Sequence, residues 1–206
     1  MKQFLYSIWI FFLILKCTLC YSAPTQPIII SEITGFNHYP PVVKNLIQKA
    51  QLLSQMNLTY LYGSNDPKNK GMDCSGTIYY LLNEMKIPSA PRQSDELFSW
   101  AKQSGKLFAT KSHSLSSDEF KYLKPGDLLF WSGTYPTQRT IPITHVMLYL
   151  GKNKKGEPLM FGASNGRTYE GKKMNGVGVF DFKLPKEGAP QKFVGYSCIP
   201  SLTCFF

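Results

Sequence analysis

The side chains able to carry out nucleophilic chemistry are few. Beyond residue 22 the chain holds three cysteines, Cys74, Cys198 and Cys204, and three histidines, His38, His113 and His145. Cys198 and Cys204 are close in sequence and suited to pairing, which leaves Cys74 as the odd thiol. Asp73 precedes it, and Ile78, Leu81, Leu82 and Met85 then recur at helical spacing up to Pro88. Asp73 therefore reads as an N-cap and Cys74 as the opening of a helix. Partial positive charge at a helix N-terminus favours thiolate, and thiolate is the form that attacks carbonyl carbon. The small Ser75 and Gly76 leave backbone N–H groups open to an oxyanion. A lone cysteine is otherwise a small apolar core residue; the capped helix start shifts the balance towards chemistry.

A cysteine nucleophile needs a base. His38 lies in a Pro-rich stretch, and His113 sits among Lys111, Ser112, Ser114 and Ser116 in a polar loop. His145 heads the apolar run Thr144 to Leu150, a strand in which His145, Met147 and Tyr149 share one face and Val146, Leu148 and Leu150 the other. Alone it reads as a satisfied core histidine; together with Cys74 it reads as the base. No cluster of His, Cys and Asp has metal-ligand spacing, and Cys–His chemistry needs no cofactor. Arg167, in Asn165-Gly166-Arg167-Thr168-Tyr169, is either a carboxylate ligand, since guanidinium matches carboxylate geometry, or part of a solvated turn.

Several elements must position these groups. Apolar spacing at Val43, Leu46, Ile47, Ala50 and Leu53 predicts a helix over 42–56, after Pro40-Pro41. Residues 60–72, rich in Gly, Asn, Asp and Pro, read as a loop. A short helix is expected near 95–102, a turn at Pro125-Gly126-Asp127, and a polar hairpin turn at Asn153 to Gly156. Strands are expected at 128–131, 144–150, 159–163, 177–182 and 193–199. Helices first and an antiparallel meander last make an α+β domain over 42–206, preceded by an extended segment over 23–41.

The chain has 206 residues, with 43% hydrophobic and 17% charged, a globular composition, and a net charge of +10. Residues 1–22 carry Lys2 and Lys16 and no acid, and Phe4 to Leu15 is an apolar run too short to span a bilayer. They read as a signal peptide cut after Ser22, with an uncleaved anchor as the alternative. Removing them leaves 184 residues, a charge of +8 and no expected transmembrane span. Export implies the periplasm or the extracellular space, where disulfides persist. The basic residues are scattered, which disfavours nucleic acid and suits an anionic envelope. Oligomeric state leaves no mark on the sequence.

Four blocks in order carry a resemblance. Asp73-Cys74-Ser75-Gly76 at a helix start resembles the nucleophile motif of the NlpC-type, papain-like cysteine peptidases that cut bacterial cell-wall peptides. Tyr60-Leu61-Tyr62-Gly63, Leu123-Lys124-Pro125-Gly126-Asp127-Leu128, and Thr144-His145-Val146 with Tyr149-Leu150-Gly151 resemble three further family motifs. The resemblance covers about 42–182. It implies a papain-like fold, with the nucleophile's helix packed on an antiparallel sheet. It also implies hydrolysis of an amide in the peptidoglycan stem, usually next to D-glutamate. By the same resemblance Cys74 is the nucleophile and His145 the general base, Tyr60 lies near the oxyanion, and Asp73 and Ser75 contact the substrate's amino end and backbone. Arg92, in Pro91-Arg92-Gln93-Ser94, matches a family pattern and reads as mostly structural. Two positions depart. Met147 stands where the family often has Gly. Gly162, in Phe161-Gly162-Ala163-Ser164, stands where the family has a polar residue that orients the histidine. Ser164 or Asn165 are the candidates to replace it. A weakened or inactive wall-binding protein, and a cell-wall amidase of the same class, are the competing readings.

Overall fold

The computed structural model describes residues 23–87 and 89–205, so the expected signal peptide at 1–22 lies outside the described residues. Three α-helices come early: α1 (Pro41–Ser54), α2 (Cys74–Glu84) and α3 (Ser94–Gln103). Pro41 occupies the first turn of α1, where its missing N–H costs nothing. Among the described residues nine strands accompany them: β1 (Ala23–Pro24), β2 (Thr59–Tyr60), β3 (Gly71–Met72), β4 (Leu107–Ala109), β5 (Leu128–Ser132), β6 (Ile143–Lys152), β7 (Pro158–Tyr169), β8 (Lys172–Asp181) and β9 (Lys192–Ser197). No helix among the described residues is long and apolar enough to cross a membrane.

Seven strands form one open sheet in the order β1-β8-β7-β6-β5-β9-β4. The expected meander holds from β5 to β8, all antiparallel. It does not hold for β9, which returns across the sheet to pair with β5. Nor is β4 legible beforehand, because its three residues carry no alternation of their own. The segment 23–41 is only partly extended: β1 pairs in parallel with β8, and 3-10 turns at Ile30–Glu32 and Phe36–His38 bring Ile28, Ile33 and Phe36 into the core. The expected loop over 60–72 contains a small parallel ladder of β2 and β3 and a 3-10 turn at Pro67–Asn69.

The sheet is covered on both faces. Val146, Leu148 and Leu150 of β6 join Phe161 and Ala163 of β7 under α1, α2 and α3. Met147 and Tyr149 join Leu129, Trp131, Met160, Phe182 and Phe193 on the opposite face. The period of two in the sequence thus sorts each strand between two apolar layers. The C-terminal loop is closed by the Cys198–Cys204 disulfide.

The turn into β5 carries an unusual acid. Asp127 is 5% exposed, and its Oδ2 accepts a hydrogen bond from the Lys124 backbone N–H at 2.8 Å. Burial raises its pKa to about 7, against the opposing pull of that N–H and of the Lys124 charge. The folded protein therefore holds a proton that the unfolded chain releases near pH 4, so stability falls as pH rises from about 4 to about 7. Asp127→Asn, which keeps an acceptor for the Lys124 N–H, is expected to abolish that fall. The gain above pH 7 is on the order of 2–4 kcal/mol, with little change at pH 4. Urea midpoints measured across this pH range check it.

Candidate functional site

Cys74 is the first residue of α2, as its capping residue requires. Asp73 Oδ1 accepts from the Gly76 N–H at 2.6 Å and lies 3.4 Å from Ser75 Oγ. Its Oδ2 accepts from the Gly63 N–H at 2.9 Å and from Arg92 Nη2 at 2.8 Å. Arg92 Nη1 donates to Ser75 Oγ at 2.9 Å. Asp73 and Ser75, expected to face a substrate, are thus drawn into protein contacts by Arg92. Gly76 is obligatory here, because a Cβ would strike the Ser64 carbonyl oxygen.

α2 lies across β6 and β7 and delivers the Cys74 thiol to the first residues of β6. Sγ sits 4.0 Å from the Thr144 carbonyl oxygen and also meets the Val146 N–H. Burial pushes the thiol up to about 11, and the Asp73 carboxylate adds to this. The N–H groups of Val146 and Ser75 and the charge of Arg167 pull the other way and do not prevail. The sequence expectation of a thiolate at the helix N-terminus is therefore corrected. At neutral pH the resting form is the thiol, because desolvation outweighs the helix-end field.

His145 is buried and pairs with Trp131 of β5, their ring centroids 5.7 Å apart. Its pKa is held well below the ordinary histidine value, by burial first and by the Arg167 charge second. Arg167 Nε donates to His145 Nε2 at 3.0 Å, and the guanidinium carbon lies 4.1 Å from the centroid of the Trp131 ring. Arg167 is not in a solvated turn, because a bulge re-aims it. Asn165 pairs with Asn175 and Thr168 with Lys173, so Gly166 and Arg167 together oppose Met174 alone. Gly166 takes φ +112°, which suits glycine. Phe161 and Ala163 face the helices. One extra residue sends Arg167 to the other face, where His145 and Trp131 lie.

His145 and Arg167 border a cleft of about 550 Å³ whose lining also includes Tyr60, Tyr62, Thr134, Tyr135, Thr144 and Ser164. Burial raises the Tyr60 phenol, and the nearby Cys74 and Asp73 add to the effect. Tyr62 and Tyr135 meet edge to face with centroids 6.3 Å apart. Thr134 Oγ1 donates to Thr144 Oγ1 at 2.7 Å, tying the loop after β5 to the head of β6. Tyr135, Thr134 and Trp131 were not legible as site residues. The available signal is that a loop leaving a strand beside the histidine strand borders whatever that histidine faces. A thiol, an imidazole and a guanidinium at one end of a sheet are an inventory for acyl transfer.

Residues 57–177, more than half of the chain, match the NlpC/P60 family. The chain belongs to that family. It is 28% identical over 117 residues to murein DD-endopeptidase MepH of Escherichia coli (strain K12), covering 54% of this chain and 37% of that protein. The chain thus spans little more than a third of the length of this curated relative. Among solved structures, an NLP/P60-family protein similar to lipoprotein from Staphylococcus aureus aligns with a TM-score of 0.47 at 20% identity, over 78% of this chain and 42% of that one. An NlpC/P60 endopeptidase from Photobacterium damselae subsp. piscicida aligns with a TM-score of 0.45 at 14% identity, over 78% and 39%.

Within this NlpC/P60 domain the two departures are one exchange of volume. A Cβ on Gly162 would lie 2.5 Å from Met147 Sδ and 3.2 Å from its Cε. Met147 on β6 fills the space that a side chain at 162 on β7 would take, and both are fully buried. Ser164 and Asn165 line the cleft, but the imidazole bonds Arg167.

Two outcomes follow from this geometry. Alkylation of Cys74 by iodoacetamide should accelerate by about tenfold per pH unit from neutral pH towards 10, without an earlier plateau, as expected for a raised thiol. Gly162→Ala should destabilise by about 1–3 kcal/mol. In a Met147→Ala background that cost should largely disappear, a coupling that a double-mutant cycle in urea reads directly.

Proposed function

We propose that this chain is an exported cysteine hydrolase that cleaves amide bonds in peptidoglycan stem peptides next to D-glutamate. Cys74 acts as nucleophile and His145 as general base and then acid. The observation that carries the reading is the delivery of Cys74, the one free cysteine among the described residues, by a capped helix start onto the strand segment that bears His145 at a cleft. Family membership supports the reaction class, and the murein endopeptidase relative supports the substrate class. The basic residues 1–22 and the Cys198–Cys204 bond suit an oxidising compartment outside the cytoplasm.

In this mechanism His145 takes the Sγ proton as sulfur attacks the carbonyl carbon, and returns it to the leaving amine. The Cys74 backbone N–H at the start of α2 and the Tyr60 hydroxyl are the groups we assign to the oxyanion; the Gly76 N–H is held by the Asp73 cap. Water then hydrolyses the thioester. Asp73 and Ser75 are assigned to the substrate's amino end and backbone, with Arg92 holding both side chains in place.

A second reading, a wall-binding protein without turnover, is favoured by one observation: the group on His145 Nε2 is a donor, whereas an orienting residue is an acceptor. Digestion of purified peptidoglycan separates the two. The chain should release fragments, identified by mass spectrometry, and Cys74→Ala should lose essentially all of that activity while still folding. New termini at D-glutamate support the stated bond, and termini within D,D cross-links reassign it. Folded protein that releases nothing from several wall chemotypes overturns the hydrolase reading.

A further inference from the structure

Arg167 presents a contradiction between what it does and what it is built to do. The Nε–H and Nη2–H bonds lie side by side on one edge of a guanidinium, the edge that matches a carboxylate with two parallel hydrogen bonds. Here Nε spends its proton on a single ring nitrogen, and Nη2 is buried with no acceptor. Among the described residues Arg167 takes part in no salt bridge. A partly buried cation with half its fork unfilled lines the same cleft as His145. A buried donor without a partner costs free energy until a ligand supplies one.

The same contact disables the histidine. Two N–H donors do not share a 3.0 Å contact, so His145 Nε2 carries no proton and accepts from Arg167. The neutral ring then holds its proton on Nδ1, and its only lone pair is occupied. No ring nitrogen is free to take the Cys74 proton.

We infer that Arg167 is the specificity-determining residue of this site: it latches His145 at rest and releases it when a substrate carboxylate beside the scissile amide takes the Nε/Nη2 edge. The carboxylate satisfies both donors where the imidazole satisfies one. With Nε2 released, the ring proton moves from Nδ1 to Nε2 and the vacated Nδ1 lone pair accepts the Sγ proton; the C–S bond forms as the C–N bond breaks, and the proton passes from Nδ1 to the departing amine. A stem peptide with a free D-glutamate α-carboxylate therefore opens the latch, and the carboxamide of the same peptide does not. The inference rests on the proposed roles of Cys74 and His145 for its kinetic consequence, but not for its structural one.

The structural consequence is read without turnover. In intact protein with 15N-labelled histidine, the His145 ring at neutral pH should show the Nδ1–H tautomer. In Cys74→Ala, a γ-D-glutamyl stem peptide with a free α-carboxylate should move the ring away from that state, and its carboxamide twin should not. Arg167→Ala should give the ordinary Nε2–H tautomer without any peptide. An Nε2–H ring at rest in the unaltered chain, or equal responses to the two peptides, overturns the latch whether or not Arg167→Ala folds. In turnover, the unaltered chain should prefer the carboxylate peptide by about 10–100-fold in kcat/KM, and Arg167→Lys should lose most of that preference. Cleavage of both peptides at equal rates by the unaltered chain removes the latch and leaves the hydrolase standing. No cleavage of either, with the ring responding as stated, removes the hydrolase and leaves Arg167 as a carboxylate reader.

Discussion

The carboxylate of Asp73 receives the N–H groups of Gly63 and Gly76, the Ser75 hydroxyl and the Arg92 guanidinium, and through them it fixes where α2 begins. Everything at the cleft is measured from that point. If α2 started one residue later, Cys74 would rotate by about 100° around the helix, a consequence of 3.6 residues per turn, and would leave the Thr144–Val146 segment of β6. The ion pair with Arg92 is well shielded, with side-chain exposures of 9% and 23%. Deleting one partner of such a pair costs far more than the pair itself contributes, because it strands the other charge. The cap is thus a positional device more than a source of stability.

Once the thiol is placed, its environment works against its ionisation. A helix start offers fractional positive charge within one turn, while full enclosure removes water from the thiolate altogether. Enclosure prevails, with the thiol raised to about 11 and the imidazole held low. The two shifts are consistent with one another: a protonated sulfur and a neutral ring avoid separating charge inside the protein. In the mechanism we propose, proton transfer from one to the other is then coupled to an event that brings compensating charge or opens a lone pair.

How much of this was legible in the sequence depended on whether one residue's meaning was local. The cap at Asp73, the helix spacing after it and the face assignment along β6 are all set by neighbours within a turn or two of chain, and the structure has them as read. The paired Cys198 and Cys204 are likewise local. The return of β9 to β5 is a choice between two free strand edges that no local pattern records. The meaning of Gly162 depends on Met147, a residue on another strand, and either one alone reads as a defect. Arg167 was hidden by a bulge: counted in steps of two from Ala163 it faces the helices, and a single extra residue at Gly166 turns it towards His145.

The bulge and the volume exchange together form one solution to a packing constraint. By the family resemblance an orienting acceptor would stand at position 162, where β7 runs as regular strand opposite Gly178. With Met147 in that space, no side chain at 162 fits, and a group for Nε2 must come from further along β7. The bulge supplies it and Trp131 provides the surface on which the guanidinium lies, 4.1 Å from the ring centroid. The replacement is not chemically equivalent. An acceptor on Nε2 stabilises the imidazolium that forms when sulfur gives up its proton; a cationic donor on Nε2 opposes it. The same sheet geometry that holds the histidine in an acceptor-oriented site therefore restrains it here. On the latch we infer, activity at this site requires the cation to find another partner, and a carboxylate in the cleft is the partner its geometry matches.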